Sequence, residues 1–380
     1  MQKIITHALL VLFLTPLLGG CAKSVLPTPE LPTRSVQKMP DITYDTTTGE
    51  YVTTLTVLAY NVMGLPWPAR EGRRSYLREI GDFLGKMRRE GRAPDVILLQ
   101  EGFMDTTLDL INTSGYRNVV PGPDRTDKAI EIINERTRAY EKGLYPWKGE
   151  GWGKLYHSGL YILSQYPIIN RHTHAFRFCA GWDCLANKGI VAAEVRLPRL
   201  PDAILLVNTH MQAGASAGVP VERTNKAHML QIDEAKDFIK DLPRKNMPLI
   251  FGGDFNMRNK NSRVLHGLRT IKAREPHMLV RHYCTDIVLT CDIAMPLEAE
   301  VEPWRYTQNL QGFIPGPKLD VRPIRMEKVF DGSDKNNPVL SNHDGYMVTY
   351  ELRWKEEHDP YGLPKKPHTA TKAKAVGGQP

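Results

Sequence analysis

Between residues 51 and 354, short apolar runs rich in Val, Ile, Leu and Tyr alternate with longer segments whose apolar residues recur at helical spacing. Short runs bounded by Gly, Pro or Asp are typical of buried strands. They predict strands at 55–62, 95–100, 159–164, 190–195, 203–208, 248–252 and 346–352. Helical spacing predicts helices at 76–89, 222–242 and 127–141.

This alternation predicts a layered α/β architecture, with two sheets flanked by helices. The periodicity leaves open whether strands pair in parallel or antiparallel. The composition, 41% hydrophobic and 24% charged, is that of a globular protein, so residues 51–354 can form one large domain.

The N-terminus has the pattern of an export signal. Lys3 and His7 precede an apolar run over 8–18, which is shorter than the roughly 20 residues that span a bilayer. This predicts a signal peptide at 1–20. The run ends in Leu-Gly-Gly-Cys, which resembles the bacterial lipobox, so we expect Cys21 to carry lipid after cleavage. A plain secretory signal with a chance cysteine remains the alternative.

Two segments outside the predicted domain differ from it in composition. Residues 21–50 contain four prolines among Ser, Thr and Lys, which predicts an extended tether. Residues 355–380 are rich in Pro, Lys, Thr, Ala and Gly, which predicts a basic disordered tail. The formal net charge of +8 favours anionic partners or simply solubility, and does not choose between nucleic acid and membrane.

Four cysteines remain when Cys21 is set aside, and four allow three pairings. The short separations favour Cys179–Cys184 and Cys284–Cys291, and export makes disulfides chemically reasonable. The spacing does not match a zinc site or a thiol nucleophile.

Polar residues stand at the ends of several predicted strands, where a sheet edge would hold them rigidly. Each alone could be a turn, cap or surface residue. Together, carboxylates suit a hard divalent cation, and histidines suit proton transfer near neutral pH. A GxSxG nucleophile motif is absent. The set comprises Asn61, Glu101, His210, Asp254 with Asn256, and His343.

The order of these residues resembles the deoxyribonuclease-like endonuclease/exonuclease/phosphatase superfamily. The matching pieces are YNVMG, LLQEGF, NTHMQA, GGDFN and SNHDGY, and the resemblance covers about 51–352. It implies an α/β fold of the four-layer sandwich type: two stacked mixed β-sheets flanked by helices, with a metal site at one end.

Two further segments narrow the resemblance to bacterial neutral sphingomyelinases. Asp183 and the Asn-Lys-Gly that contains Lys188 resemble one motif of that group, and THMQA resembles another. The resemblance implies that Asp183 and Lys188 shape a head-group pocket. The resemblance therefore favours a phospholipid over nucleic acid as the substrate.

The resemblance also implies roles for the core residues. Glu101, with Asn61 nearby, would hold Mg²⁺ (or Mn²⁺ or Co²⁺). His343 would take a proton from the attacking water and would be oriented by Asp320. Asp254 would position the water, Asn256 would donate to a phosphoryl oxygen, and His210 would stabilise negative charge.

The chain departs from the superfamily at two points. Asn342 stands where an aspartate usually precedes the final histidine, which puts metal affinity in question. Asp320 matches its counterpart by position only.

We therefore expect a metal-dependent phosphodiesterase that converts sphingomyelin to ceramide and phosphocholine. A secreted nuclease, a phosphoinositide phosphatase and a catalytically impaired binding protein are the alternatives. We expect a monomer with a phospholipid membrane as its partner. We expect it to be exported and lipid-anchored to a bacterial membrane, the outer one foremost, or to the cell surface, and the sequence leaves inner or outer membrane open. Aromatic residues at 145–152 and 304–313, Phe313 among them, predict membrane contact, the alternative being that they are core.

Overall fold

Two β-sheets form the centre of the protein. The computed structural model describes residues 38–243, 247–257, 260–272, 279–295, 309–333 and 335–355. The strands of these residues are β1 Thr43–Asp45, β2 Glu50–Asn61, β3 Val96–Gln100, β4 Asn118–Pro121, β5 Tyr161–Ser164, β6 Ile168–Ala175, β7 Gly189–Val195, β8 Ile204–His210, β9 Leu249–Asp254, β10 Asp292–Ala294, β11 Asn309–Ile314, β12 Asp320–Val329 and β13 Gly345–Trp354.

Both sheets are mixed. The larger has the order β10-β12-β13-β2-β3-β5-β4, with β1 beside β2, and the smaller has the order β11-β9-β8-β7-β6. Two pairs at the middle of the sheets, β2 with β3 and β8 with β9, are parallel. Their carboxyl ends therefore meet at one edge of each sheet, which positions the residues that follow them.

Helices cover the outer faces of both sheets. The principal ones are α1 Arg73–Arg89, α2 Thr106–Ser114, α3 Glu135–Glu141, α4 Val221–Asp241 and α5 Asn261–Lys272. Leu77, Ile80 and Leu84 of α1 pack on the larger sheet. Ile232 and Ala235 of α4 pack on the smaller one. The core between the sheets contains side chains of both, so the predicted four-layer α/β sandwich is confirmed.

Buried amide side chains join the two sheets across this core. Gln100 Nε2 of β3 donates to Asn208 Oδ1 of β8 at 2.7 Å, and Asn208 Nδ2 donates to the carbonyl oxygens of Leu99 and Tyr161. Gln311 of β11 donates to the Val57 carbonyl oxygen of β2 at 3.0 Å. A buried amide without these partners would lose its hydrogen bonds to water and gain none in the protein. The bridges form in only one alignment of the sheets, and they therefore favour that alignment.

Every predicted strand falls on an observed one, and the predicted helices at 76–89 and 222–242 correspond to α1 and α4. The prediction at 127–141 is wrong over its first half, because α3 begins only after Asn134, whose side chain caps it. Strand β6 was missed because its residues, IINRHTHA, are largely polar and its burial is low, as befits an edge strand.

The predicted tether is too long. Strand β1 pairs with the start of β2, and Lys38 forms an ion pair with Asp95, so the fold begins before residue 51. The signal peptide, Cys21 and nearly all of the predicted tail lie outside the described residues and stay predictions. Within the described part of the chain, the helices are too short or too polar to cross a bilayer.

Both predicted disulfides are confirmed: Cys179 is bonded to Cys184, and Cys284 to Cys291. The prediction that Phe313 contacts a membrane is wrong, because its ring is 3% exposed and packs against Tyr283 and Tyr350 in the core. Trp304 lies outside the described residues.

Gly253 allows β8 and β9 to approach closely just before Asp254. Its φ is +134°, and a Cβ there would lie 2.0 Å from the Thr209 carbonyl oxygen. Gly91 also has a positive φ, +73°, but a Cβ there meets nothing within 4 Å.

We predict that Gly253→Ala lowers the free energy of unfolding by at least about 2 kcal/mol more than Gly91→Ala does. The reason is that only the first substitution forces two backbones apart. Urea denaturation of both variants measures the difference. Equal decreases in the free energy of unfolding for the two variants would contradict a close approach of β8 and β9 at Gly253.

Candidate active site

Two carboxylates from different sheets lie together at the edge where β2, β3, β8 and β9 end. Asn61 Nδ2, at the end of β2, donates to Glu101 Oε1 at 2.8 Å and to Asp254 Oδ2 at 3.0 Å. Asn61 Oδ1 accepts from the Met63 backbone N–H. The amide therefore holds the two carboxylates side by side.

Two imidazoles face the same carboxylate oxygen. His210 Nε2 lies 3.6 Å from Asp254 Oδ2 and 3.9 Å from Glu101 Oε1. His343 Nε2, from the loop before β13, lies 3.9 Å from Asp254 Oδ2. The predicted set Asn61, Glu101, His210, Asp254 and His343 is thus brought together at one point, with contributions from both sheets.

Lys188 and Asp183 adjoin this cluster. Lys188 Nζ donates to Asp183 Oδ2 at 2.8 Å and to the Met211 carbonyl oxygen at 3.2 Å, and it lies 3.2 Å from His210 Nε2. Asp183 Oδ2 also accepts from the Ala213 backbone N–H. Lys188 is only 5% exposed, so its charge acts on the site with little screening by solvent.

The electrostatics of the cluster favour neutral groups. Burial raises the pKa of Glu101, although the hydrogen bond from Asn61 and the charge of Lys188 act in the opposite direction. Burial is the main cause that holds the pKa of His210 well below its ordinary range, and the electrostatic effects of Lys188 and His343 act in the same direction. His210 is therefore a neutral imidazole at physiological pH, and Lys188 supplies the positive charge next to it.

The donor set fits a hard divalent cation. Ligand atoms of Glu101, His210 and Asp254 all lie within 4.8 Å of one another. Two carboxylates that share a buried position need a compensating positive charge, and carboxylate oxygens are the ligands that Mg²⁺ and Mn²⁺ prefer. The Asn61 side-chain nitrogen donates to both carboxylates, and its oxygen already accepts from the Met63 N–H, so one lone pair of that oxygen is open to a cation. Its role as a ligand stays a prediction.

The prediction that Asp320 orients His343 is wrong. Asp320 pairs with Arg353 at the far end of the β12–β13 ladder, and its carboxylate binds Arg322 at 2.6 Å. Eight residue steps separate Gly345 from Arg353, so Asp320 lies about 27 Å along the strand from the end of β13 that follows His343. In this structure Asp254 is the carboxylate that faces His343.

Asn342 and Asn256 lie at the borders of the cluster. The Asn342 side chain is exposed, and its Oδ1 accepts from Ser341 Oγ at 3.5 Å. Asn256 Nδ2 donates to the Met211 carbonyl oxygen at 3.1 Å, while its backbone N–H donates to Asp254 Oδ1 at 2.9 Å. Asn256 thus joins the loop after β9 to the loop after β8, and its predicted bond to a phosphoryl oxygen stays a prediction.

Arg263, in the first turn of α5, was missed by the sequence analysis. It is fully buried, and its guanidinium donates to the carbonyl oxygens of Gln212, Ala213 and Asn256. Burial lowers its pKa to about 10, so it stays charged at neutral pH. It fastens the two loops that follow His210 and Asp254. Its sequence setting, NSRVLHGL, reads as an ordinary amphipathic helix and gives no signal of this role.

The fold and the site together define the class of protein: an α/β sandwich with a carboxylate–imidazole cluster at one end. The predicted resemblance, to the endonuclease/exonuclease/phosphatase superfamily near the neutral sphingomyelinases, is confirmed. The chain is similar to Sphingomyelinase C of Bacillus cereus, at 33% identity over 113 residues, and to Phospholipase C of Staphylococcus aureus, at 32% over 146 residues.

These sequence matches are partial. They cover 27% and 35% of this chain, and 31% and 42% of the two relatives. No protein-family model matches the chain.

Solved structures share the fold over most of the chain. Sphingomyelinase C from Streptomyces griseocarneus superposes with a TM-score of 0.52 at 16% identity, covering 78% of this chain and 99% of that one. Beta toxin from Staphylococcus aureus gives 0.51 at 16% identity, covering 77% and 99%.

We predict that Arg263→Met reduces turnover of a phosphodiester by at least about tenfold, because three carbonyl oxygens lose their donor and the two loops lose their alignment. Arg263→Lys, which keeps the charge but not the fork of donors, should recover part of this loss. Leu265→Met, on the exposed face of the same helix, is the control. Turnover by Arg263→Met at the wild-type level would contradict this role.

Proposed function

We propose that the protein is a divalent-cation-dependent phosphodiesterase whose substrate is a phospholipid, sphingomyelin foremost, with ceramide and phosphocholine as products. The observation that carries the proposal is the convergence of Glu101, Asp254, His210 and His343 from two sheets within 4 Å contacts. Carboxylates and imidazoles at this spacing suit cation-assisted hydrolysis of a phosphate ester.

A lipid substrate is supported by two features beyond the core. The Asp183–Lys188 pair adjoins the cluster at the side of His210, where a head group next to the reacting phosphate would lie. The partial sequence similarity is to proteins described as Sphingomyelinase C and Phospholipase C. The fold alone does not select a substrate.

Glu101 and Asp254 are the residues that would hold the cation, with His210 within reach. A bound divalent cation supplies Lewis-acid polarisation of a phosphoryl oxygen and offsets the negative charge that develops there. The protein contributes a buried and rigid setting, because Asn61 and the Asn256 backbone fix the orientation of both carboxylates.

Proton transfer falls to His343. Attack of a water oxygen on phosphorus breaks the bond between phosphorus and the ceramide oxygen, His343 accepts the proton of that water, and the ceramide oxygen takes up a proton as it leaves. Asp254 stabilises the imidazolium that forms on His343. His210, held neutral, acts by hydrogen bonding, and Lys188 provides the fixed positive charge for the phosphoryl oxygens.

A nuclease is the second candidate. It would use the same core residues, and the net charge of +8 favours a polyanionic substrate.

The two disulfides are consistent with an exported protein. We propose further that Cys21 anchors the exported protein to the outer membrane through lipid.

Turnover of labelled sphingomyelin against that of plasmid DNA, each with Mg²⁺ and with EDTA, tests the proposed function. We expect sphingomyelin hydrolysis that EDTA abolishes, and DNA cleavage at least about 100-fold slower, a difference typical of sites built for one polar substrate. Cation-dependent cleavage of DNA without sphingomyelin hydrolysis would support the nuclease instead.

A second prediction concerns Glu101→Gln, which removes the charge and keeps the shape. Turnover should fall at least about 100-fold, because the cation loses a carboxylate ligand. In EDTA at pH 8 the variant should unfold about 2–4 °C above wild type, because burial raises the pKa of Glu101 and so penalises its charged form.

The sign of this stability effect follows from the raised pKa. The penalty is present above the folded-state pKa and vanishes as the pH falls below the ordinary value, where the carboxyl is protonated in both states. The gain for Glu101→Gln should therefore disappear on acidification. Glu79→Gln, on the exposed face of α1, is the matched control. A lower melting temperature for Glu101→Gln in EDTA at pH 8 would refute this account of the site.

A further inference from the structure

Four of the five tryptophans in the described part of the chain are exposed. Their relative exposures are 78% for Trp67, 67% for Trp147, 58% for Trp152 and 41% for Trp182. The fifth, Trp354, is 3% exposed. Rings this exposed contribute little to the core, so their presence calls for another explanation.

All four exposed tryptophans lie on loops at the edge of the sheets that carries the site. Trp67 is in the loop that leaves β2 directly after Asn61. Trp147 and Trp152 are in the connection that leads into β5, whose first residue lies opposite Leu99 at the end of β3.

Trp182 immediately precedes Asp183, in the connection between β6 and β7. The buried Trp354, by contrast, pairs with Tyr51 at the opposite edge of the larger sheet. Among the tryptophans that the structure describes, the exposed ones therefore lie only at the edge that carries the site.

Two of these rings are in contact, and Trp147 lies in the same segment of the chain as one of them. The Trp152 and Trp182 centroids lie 6.1 Å apart with the rings edge to face, and the Lys148 ammonium lies 5.6 Å from the Trp182 centroid. Trp147 is on the same short helical turn as Lys148. We call Trp147, Lys148, Trp152 and Trp182 the tryptophan rim.

Further apolar side chains are exposed in the same connection between β4 and β5. They flank the tryptophan rim in sequence. They are Ile130, Ile133, Leu144 and Leu155. Many exposed apolar side chains in one connection are typical of a segment that binds a partner.

We propose that the tryptophan rim docks on the interface of a phospholipid bilayer and so presents the site to lipid phosphodiesters. That the site hydrolyses the lipid phosphodiesters presented to it rests on the proposed function. Indole rings favour the head-group region because they are apolar with a polar N–H, and a lysine among them suits lipid phosphates.

The geometry of the rings disfavours nucleic acid as the occupant. Stacking on bases needs open ring faces along a cationic groove. Here Trp152 and Trp182 meet edge to face, and Lys148 lies over the face of Trp182, so these faces are already partly covered. A fluid interface places no such demand on ring orientation.

The test uses the double variant Trp147→Ser/Trp152→Ser, which spares Trp182 beside Asp183. Ile169→Ser is the matched control, because Ile169 is 47% exposed and lies near the start of β6, at the end of the smaller sheet remote from the site. Binding to sphingomyelin–phosphatidylcholine vesicles is measured by sedimentation in EDTA, so that hydrolysis does not interfere. Hydrolysis of bis(p-nitrophenyl) phosphate with Mg²⁺ is measured in parallel.

We expect the double variant to bind vesicles at least about tenfold more weakly than wild type, since binding strength scales with the apolar area that enters the interface. Its loss of hydrolysis rate on the soluble diester should be much smaller. Ile169→Ser should match wild type in both vesicle binding and diester hydrolysis. Wild-type vesicle binding by the double variant would overturn the proposal, and so would equal losses on vesicles and on the soluble diester.

Two outcomes separate this proposal from the proposed function. Vesicle binding that depends on the rim, in a wild-type protein that does not hydrolyse sphingomyelin, would keep the docking surface and overturn the substrate. Weakened binding of single-stranded DNA by the double variant, with vesicle binding unchanged, would assign the rings to base stacking and overturn membrane docking.

Discussion

The site depends on the alignment of two sheets whose described strands share no backbone hydrogen bonds with each other. Asn61, Glu101 and His343 come from the larger sheet, and His210 and Asp254 from the smaller, so a slip between sheets of one residue would separate them by about 3 Å. The buried Gln100–Asn208 bridge lies one residue before Glu101 and two before His210. The same buried amides that would be costly to leave unpaired therefore hold the chemical groups in register.

Burial gives these groups their chemistry as well as their position. In water, Glu101 and His210 would be an ordinary carboxylate and an ordinary imidazole. Within the cluster the first has a raised pKa and the second a strongly lowered one, both mainly through loss of hydration. A divalent cation would reverse the penalty on Glu101, so cation binding, protonation and stability are linked at this point. Lys188, paired with Asp183, lies beside the neutral His210.

Much of this could be predicted from the sequence, because strands and the residues at their ends carry local signals. The apolar runs predicted seven strands, and the polar residues at their ends predicted five members of the cluster. Contacts between residues distant in sequence carry no such signal. Asp320 matched by order along the chain, yet strand direction puts it at the wrong end of β12. Arg263, for which the sequence analysis made no prediction, is fully buried, and Phe313, predicted to contact a membrane, lies in the core.

The central claim is that carboxylates from both sheets surround one cation. Anomalous diffraction from crystals soaked in Mn²⁺ tests it most directly, because the scattering locates the ion independently of the protein. The account predicts a peak between Glu101 and Asp254, about 2 Å from an oxygen of each carboxylate. A peak bound to other side chains, or no peak at the cluster in crystals of protein whose turnover requires Mn²⁺, would contradict it.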